Sequence, residues 1–250
     1  MTKPKVAVFD FACCEGCQLQ IVNMEESLLD LLNVVDVVEW REAMSEQSEV
    51  YDIAIIEGSI TRPQDEEKLQ KIRKKAKILV ALGACAVSGG LLSLKHAFSK
   101  KELGQIVYGK DGKMPHLDSD NVKAVGDVVK VDYEIKGCPI DQKEFSYIVR
   151  CLAMGREPFL PSYPVCVECR TKENSCLWEK NEICLGPLTR AGCEADCPTH
   201  GAPCVGCRGY SEDANPEGMK TILNLYGKKP ADMDSRLELF LRKTKEPSHA

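Results

Sequence analysis

The chain has 250 residues, of which 28% are charged and 44% hydrophobic, with a net charge of −5 and a pI near 5.6. A mildly acidic balance with scattered Lys and Arg argues against a nucleic-acid partner. The mean hydropathy of −0.24 and the lack of any apolar run of ~18 residues argue against a membrane span. Residues 1–9 carry neither a signal-type apolar stretch nor a twin arginine, so a cytoplasmic location is expected.

In chain order, residues 6–9 form a short apolar run expected to be a buried strand. Residues 18–32 place apolar side chains at 21, 24, 28, 31 and 32, which predicts one helix. Residues 34–40, rich in β-branched types, and 52–57 predict the next two strands. Residues 63–76 predict a charged helix with Pro63 in its first turn. Residues 78–82 predict a fourth strand and 132–136 a fifth; residues 99–121, polar and Gly-rich, read as an exposed excursion between them. Asp141 with Glu144 three positions on has the form of a reciprocal N-cap. The helix it opens carries Phe145, Ile148, Val149 and Leu152 on one face and stops at Gly155.

This alternation predicts an α/β domain over 1–157, with a doubly wound parallel sheet. Pro158, Pro161 and Pro164 then mark a linker into a loop-rich domain over 158–250. There residues 166–207 hold many cysteines and few aliphatics, and metal ligation would supply the folding free energy that apolar burial cannot. Residues 217–243 carry two short helical patterns.

Fourteen cysteines dominate the chain. In a cytoplasmic protein of this size they read as metal-holding thiolates rather than disulfides. Ligands of open α/β sheets gather beyond the carboxyl ends of the strands, and four cysteines fall there: Cys14 and Cys17 after the first strand, Cys85 after the fourth, Cys138 after the fifth. The C-terminal cysteines divide into Cys166, Cys169, Cys176 and Cys184, and then Cys193, Cys197, Cys204 and Cys207. Each set offers the four thiolates that a 4Fe–4S cluster takes. Four thiolates in paired C-x2-C units also suit structural zinc, which these two sets alone leave open. The first set favours iron–sulfur, because Cys85 and Cys138 lie far downstream of the Cys14–Cys17 pair, unlike a compact zinc knuckle. Cys14-Glu15-Gly16-Cys17 also lies where a strand passes into a helix, and a helix N-terminus favours an anion. Cys13 and Cys151 remain over, Cys151 as a core thiol. Glu57 and His200 are candidates for supporting contacts around a cluster, whereas His96, His116 and His249 are not needed as ligands.

The motifs Cys14-Glu15-Gly16-Cys17, Glu57-Gly58-Ser59, Gly83-Ala84-Cys85 with Gly89-Gly90, Gly137-Cys138-Pro139, Cys176-Leu177-Trp178-Glu179, Gly186-Pro187 and Pro203-Cys204-Val205-Gly206-Cys207 span nearly the whole chain. In these residues the chain resembles the small subunit of nickel–iron hydrogenases of the soluble cytoplasmic type. The resemblance implies a flavodoxin-like N-terminal domain and three 4Fe–4S clusters. The proximal one would lie on Cys14, Cys17, Cys85 and Cys138, beside the nickel–iron centre of a separate large subunit. Cys166, Cys169, Cys176 and Cys184 would hold the distal cluster, and Cys193, Cys197, Cys204 and Cys207 the medial one. Two positions depart from membrane-linked members: Cys166 stands where those have His, and Cys197 adds a fourth cysteine where many have three. The implied activity is electron relay in reversible H2 oxidation, toward a cytoplasmic acceptor such as an iron–sulfur or flavin NAD(P)-reducing subunit. The competing readings are a 20-kDa quinone-reductase subunit like that of respiratory complex I, a zinc-stabilised non-redox adaptor, and the small subunit of a hydrogenase-like coenzyme-F420 enzyme.

Overall fold

A computed structural model describes residues 2–110, 112 and 121–241. His116, His249 and part of the 99–121 excursion lie outside the described residues. The chain divides into two compact units, Met1–Ile135 and Lys136–Ala250. The helix after Asp141, grouped with the N-terminal domain on sequence, falls in the second unit.

In the first unit, β1 (Lys5–Asp10), β2 (Asp36–Trp40), β3 (Ile53–Glu57), β4 (Ile78–Leu82) and β5 (Tyr133–Ile135) form one sheet in the order β2-β1-β3-β4-β5. All its pairings are parallel. This is the flavodoxin-like strand order, as expected from the sequence. The central strands read as continuous apolar runs because helices cover both faces of a parallel sheet; every residue of β3 is buried. Leu69 and Ile72 of α3 (Pro63–Lys75) pack with Ala7, Phe9, Ala54, Ile56, Leu79 and Ala81 on one side. Full burial of a side chain such as Leu69 contributes about 1.5–3 kcal/mol.

The helix expected over 18–32 is two helices, α1 (Gly16–Val22) and α2 (Glu26–Leu32). Asn23 ends the first, and Glu25 takes a positive φ of 52°. Asn competes for backbone hydrogen bonds and is a weak interior helix residue. The break lets Met24 turn inward, where it is 6% exposed. α4 (Gly83–Ser88) follows β4 directly and leads into a 3-10 segment over Gly90–Ala97. α5 (Lys100–Tyr108) lies within the expected excursion; a Ser99–Glu102 capping box starts it, and it buries no side chain.

Register aligns the carboxyl ends of the strands. Asp10 pairs with Glu57, Glu57 with Leu82, and Leu82 with Ile135. The segments that follow these residues therefore leave the first unit's sheet from one edge.

The second unit holds α6 (Gln142–Ala153), α7 (Val165–Thr171), α8 (Asp196–Thr199), α9 (Pro216–Leu225) and α10 (Pro230–Phe240). Its core joins Val165, Leu177, Trp178, Ile183, Leu185 and Leu188 from the cysteine-rich loops with Met219, Leu223, Met233 and Leu241 from the tail. The poverty of aliphatics in 166–207 is thus met by the two tail helices, not by ligation alone. The Trp178 indole N–H donates to the Cys184 carbonyl at 3.0 Å and its ring packs 5.5 Å from Tyr226.

Candidate functional site

At the carboxyl edge of the first unit's sheet, Cys13, Cys14 and Cys17 follow β1 and Cys85 lies in the first turn of α4, directly after β4. Glu15, between Cys14 and Cys17, is left-handed with φ 61°. Glu57, at the end of β3, is 2% exposed. Its Oε1 accepts the Cys17 backbone N–H at 3.0 Å, and its Oε2 accepts the Gln18 side-chain amide at 2.9 Å. The Gln18 amide oxygen in turn accepts the Trp40 indole N–H at 2.7 Å. A carboxylate thus satisfies free N–H groups at the start of α1.

The glycines of this edge are there because thiols and backbone crowd them. A Cβ on Gly16 would stand 3.3 Å from Cys14 Sγ, and one on Gly90 would stand 3.0 Å from Cys85 Sγ. Gly58, with φ +97°, would place a Cβ 2.7 Å from the Phe11 carbonyl carbon. Ser59 donates its hydroxyl to the Cys85 carbonyl at 2.9 Å. Cys13 belongs to this neighbourhood as well: burial, then the charges of Glu57 and Cys85, push its thiol up to about 12. Cys138 lies in the second unit, in a turn closed by a Gly137–Ile140 bridge, and follows β5 closely in the chain.

In the second unit, Cys169, Cys176 and Cys184 lie near enough to Cys166 for their charges to act on its thiol. Burial pushes the Cys166 thiol up to about 12, and the charges of Cys184, Cys169 and Cys176 push it further in the same direction. Cys193, Cys197, Cys204 and Cys207 form a second neighbourhood. Burial raises Cys207 to about 11, opposed by the Cys138 backbone N–H and reinforced by Cys193 and Cys197. Burial likewise raises Cys204 to about 12, opposed by the Thr189 hydroxyl and the Gly206 N–H and reinforced by Cys184 and Cys207. The two sets adjoin: the Cys204 backbone N–H donates to Cys184 Sγ at 3.2 Å. A Cβ on Gly186 would stand 3.3 Å from Cys166 Sγ, 3.5 Å from Cys184 Sγ and 3.9 Å from the Cys204 Cβ.

These donors fit a polynuclear iron–sulfur group. Thiols that are buried and repel one another as thiolates need a compensating cation, and metal binding deprotonates a coordinating thiol outright. Left-handed residues recur between successive cysteines, namely Glu15, Glu173, Asn181, Glu194, Ala195 and Gly206. Turns of this kind aim backbone N–H groups into an anion-binding concavity of the sort found around iron–sulfur sites. Among the described residues no three or more His, Cys, Asp or Glu side chains form a preassembled metal-holding group.

His200 is exposed, and its Nδ1 lies 3.0 Å from the Asp196 carbonyl. Composition and spacing did not point to Arg190 and Arg208, which are 8% and 1% exposed and flank Glu144. Glu144 does not close the capping box expected of it. Asp141 caps the Glu144 N–H at 2.8 Å, while the Glu144 carboxylate turns to Arg190 Nη2 at 2.7 Å and to Arg208 Nη2. The one available signal was an Arg directly after a ligand-type cysteine, at Cys207-Arg208.

The family described as NADH ubiquinone oxidoreductase, 20 Kd subunit, matches residues 14–152. Sulfhydrogenase 2 subunit delta of Pyrococcus furiosus is 40% identical over 88% of this chain and 92% of its own length. A vhu subunit of the F420-non-reducing hydrogenase of Methanocaldococcus jannaschii is 34% identical over 83% of this chain and 82% of its own. Among solved structures, a chain of an NAD+-reducing [NiFe]-hydrogenase superposes with a TM-score of 0.57 at 29% identity, covering 64% of this chain and 96% of that one. A chain of the actinobacterial-type NiFe-hydrogenase from Ralstonia eutropha shares the fold over 98% of this chain and 94% of its own, with a TM-score of 0.59 at 15% identity.

Proposed function

The chain belongs to the NADH ubiquinone oxidoreductase 20 Kd subunit family, and on that premise we propose that it is the electron-transfer small subunit of a nickel–iron hydrogenase. Relatives that extend past the family match into the second unit carry hydrogenase-subunit names, which favours this reading over a quinone-reductase subunit.

In this proposal Cys14, Cys17, Cys85 and Cys138 hold a proximal 4Fe–4S cluster, Cys193, Cys197, Cys204 and Cys207 a medial one, and Cys166, Cys169, Cys176 and Cys184 a distal one. The observation that carries it is the pair of adjoining cysteine neighbourhoods in the second unit, which meet where the Cys204 backbone N–H donates to Cys184 Sγ at 3.2 Å. When bound, such clusters supply one-electron carriers whose potentials respond to burial, charge and hydrogen bonds to sulfur. The chain's own residues hold the thiolates at fixed positions, direct backbone N–H groups toward them and exclude water from Cys184 and Cys204, both buried. The chemistry of H2 cleavage to two protons and two electrons would be supplied by a nickel–iron centre held in a large-subunit partner, and not by residues of this chain. The acceptor in this reading is a cytoplasmic iron–sulfur or flavin NAD(P)-reducing subunit, in keeping with a relative named NAD-reducing hydrogenase HoxS subunit delta from Cupriavidus necator, 31% identical over 64% of this chain. Among the described residues no helix is long and apolar enough to cross a membrane.

The test is metal and sulfide analysis of the complex purified without oxygen. About twelve iron and twelve sulfide per chain, as three cubane clusters require, with nickel in a larger co-purifying subunit, is the expected result. Zinc without sulfide would overturn the proposal.

A further inference from the structure

One buried charged group in the second unit is not required by ligation. Arg190, Glu144 and Arg208 form a triad in which two guanidinium groups share one carboxylate, leaving one positive charge in excess. The side chains of Arg208 and Glu144 are 1% and 5% exposed. Such a group is costly to bury, and core packing alone does not call for it.

The triad is built into the loops that carry the second cysteine set. Arg208 directly follows Cys207. Its Nε donates to the Ala191 carbonyl at 3.0 Å, two residues before Cys193, and its Nη1 donates to the Lys136 carbonyl at 2.8 Å, two residues before Cys138. Gly192, with φ +107°, lies flat on the pair: a Cβ there would meet Glu144 Oε2 at 2.4 Å and Arg208 Nη2 at 2.6 Å. Glu168 accepts the Gly192 and Ala195 N–H groups at 2.8 and 3.0 Å. Arg208 is thus held one residue from Cys207 and, through the Ala191 carbonyl, on the segment that leads into Cys193.

We propose that Arg208, charge-balanced by Glu144, is a positioning residue that sets the reduction potential of the cluster on Cys193, Cys197, Cys204 and Cys207. A cluster gains one negative charge on reduction. A buried positive charge beside two of its ligands stabilises the reduced form, and low local dielectric makes that interaction stronger than at the surface. Arg208 therefore raises the potential of this cluster, and Glu144 limits the rise. Arg170, next to Cys169 of the other set, lies in an exposed position, where solvent and salt screen its charge. The inference rests on the proposed cluster assignment.

The experiment is a redox titration of the three clusters by electron paramagnetic resonance in the intact complex, with iron and sulfide counted in every sample. Glu144→Gln is expected to raise one cluster's potential and Arg208→Gln to lower that same cluster's. Each shift should correspond to about a tenfold change in the reduced-to-oxidised ratio, or about 59 mV for one electron. The other two clusters should stay within about twofold, and Arg208→Lys, which keeps the charge, should restore most of the shift. If Arg208→Gln loses iron, the direction of the Glu144→Gln shift decides, and a fall or no change overturns the inference. Unchanged potentials in fully loaded variants, or a common drift of all three, would also overturn it. A wild-type complex without about twelve iron would instead overturn the cluster assignment beneath it.

Discussion

The carboxylate of Glu57 accepts the backbone N–H of Cys17 at 3.0 Å, tying the end of β3 to the first turn of α1. A strand-end acid thereby fixes the peptide that carries one ligand-type cysteine. Glu57 also serves Gln18, and through it Trp40, so the contact is shared by three segments of the first unit.

Glu57→Ala should therefore destabilise the first unit by roughly 2–4 kcal/mol, since it leaves buried donors unpaired at about 1–3 kcal/mol each. Glu57→Gln, which keeps one acceptor oxygen, should cost less than half of that. The denaturant midpoint of the metal-free chain measures both, and an unchanged midpoint in the alanine variant would contradict the network.

Gly186→Ala should empty one site without unfolding the chain. The added Cβ would stand 3.3 Å from Cys166 Sγ and 3.5 Å from Cys184 Sγ, where a thiolate has to orient toward metal. Iron per chain should fall by about four, the content of one cubane, with sulfide falling equally. Full occupancy would show that the thiols can yield without loss.

Cys14→Ser and Cys13→Ser should separate the tandem pair. Cys14 Sγ lies against Gly16 at the head of α1. Cys13 is held protonated by burial and by Glu57. The Cys14 variant is expected to lose about four iron and the Cys13 variant none; the reverse pattern would exchange their roles.

The metal-free chain should lose stability in alkali. The thiols of Cys166 and Cys204 titrate at about 12 in the fold against an ordinary 9.0, and Cys207 at about 11. Between those values the unfolded chain has released protons that the folded chain still binds, so stability present below pH 9 falls as pH rises toward about 12. Metal-loaded protein holds these thiols as thiolates and should show a flatter profile. Urea midpoints measured near neutrality and near pH 10 on both forms compare the two slopes.

The sheet was legible in the sequence because its central strands are short, largely apolar runs with helical spacing between them. The residues at 78–82 form β4 with those bounds, and the Phe145, Ile148, Val149 and Leu152 face of α6 is buried as its spacing requires. The break at Asn23–Glu25 was not legible. The apolar period runs through it unchanged, and only the inward turn of Met24 against the core separates α1 from α2. Nor did the pattern show that Met219 and Leu223 of the tail complete the core of the cysteine-rich loops, because periodicity gives the apolar face of a helix but not its partner.

The candidate site divides along the same line. The thiol inventory and the glycines beside Cys14 and Cys85 are readable from the chain alone, since they are matters of residue type and short spacing. Where Glu144 sends its carboxylate is set by packing across the second unit. Asp141-Gln142-Lys143-Glu144 carries every local mark of a reciprocal cap, yet Glu144 bonds Arg190 and Arg208, which lie 46 and 64 residues further along. The physical reason is that two buried guanidinium groups need a carboxylate more than an exposed helix end does, and which charges share a low-dielectric interior is settled by packing, not by neighbours in the chain.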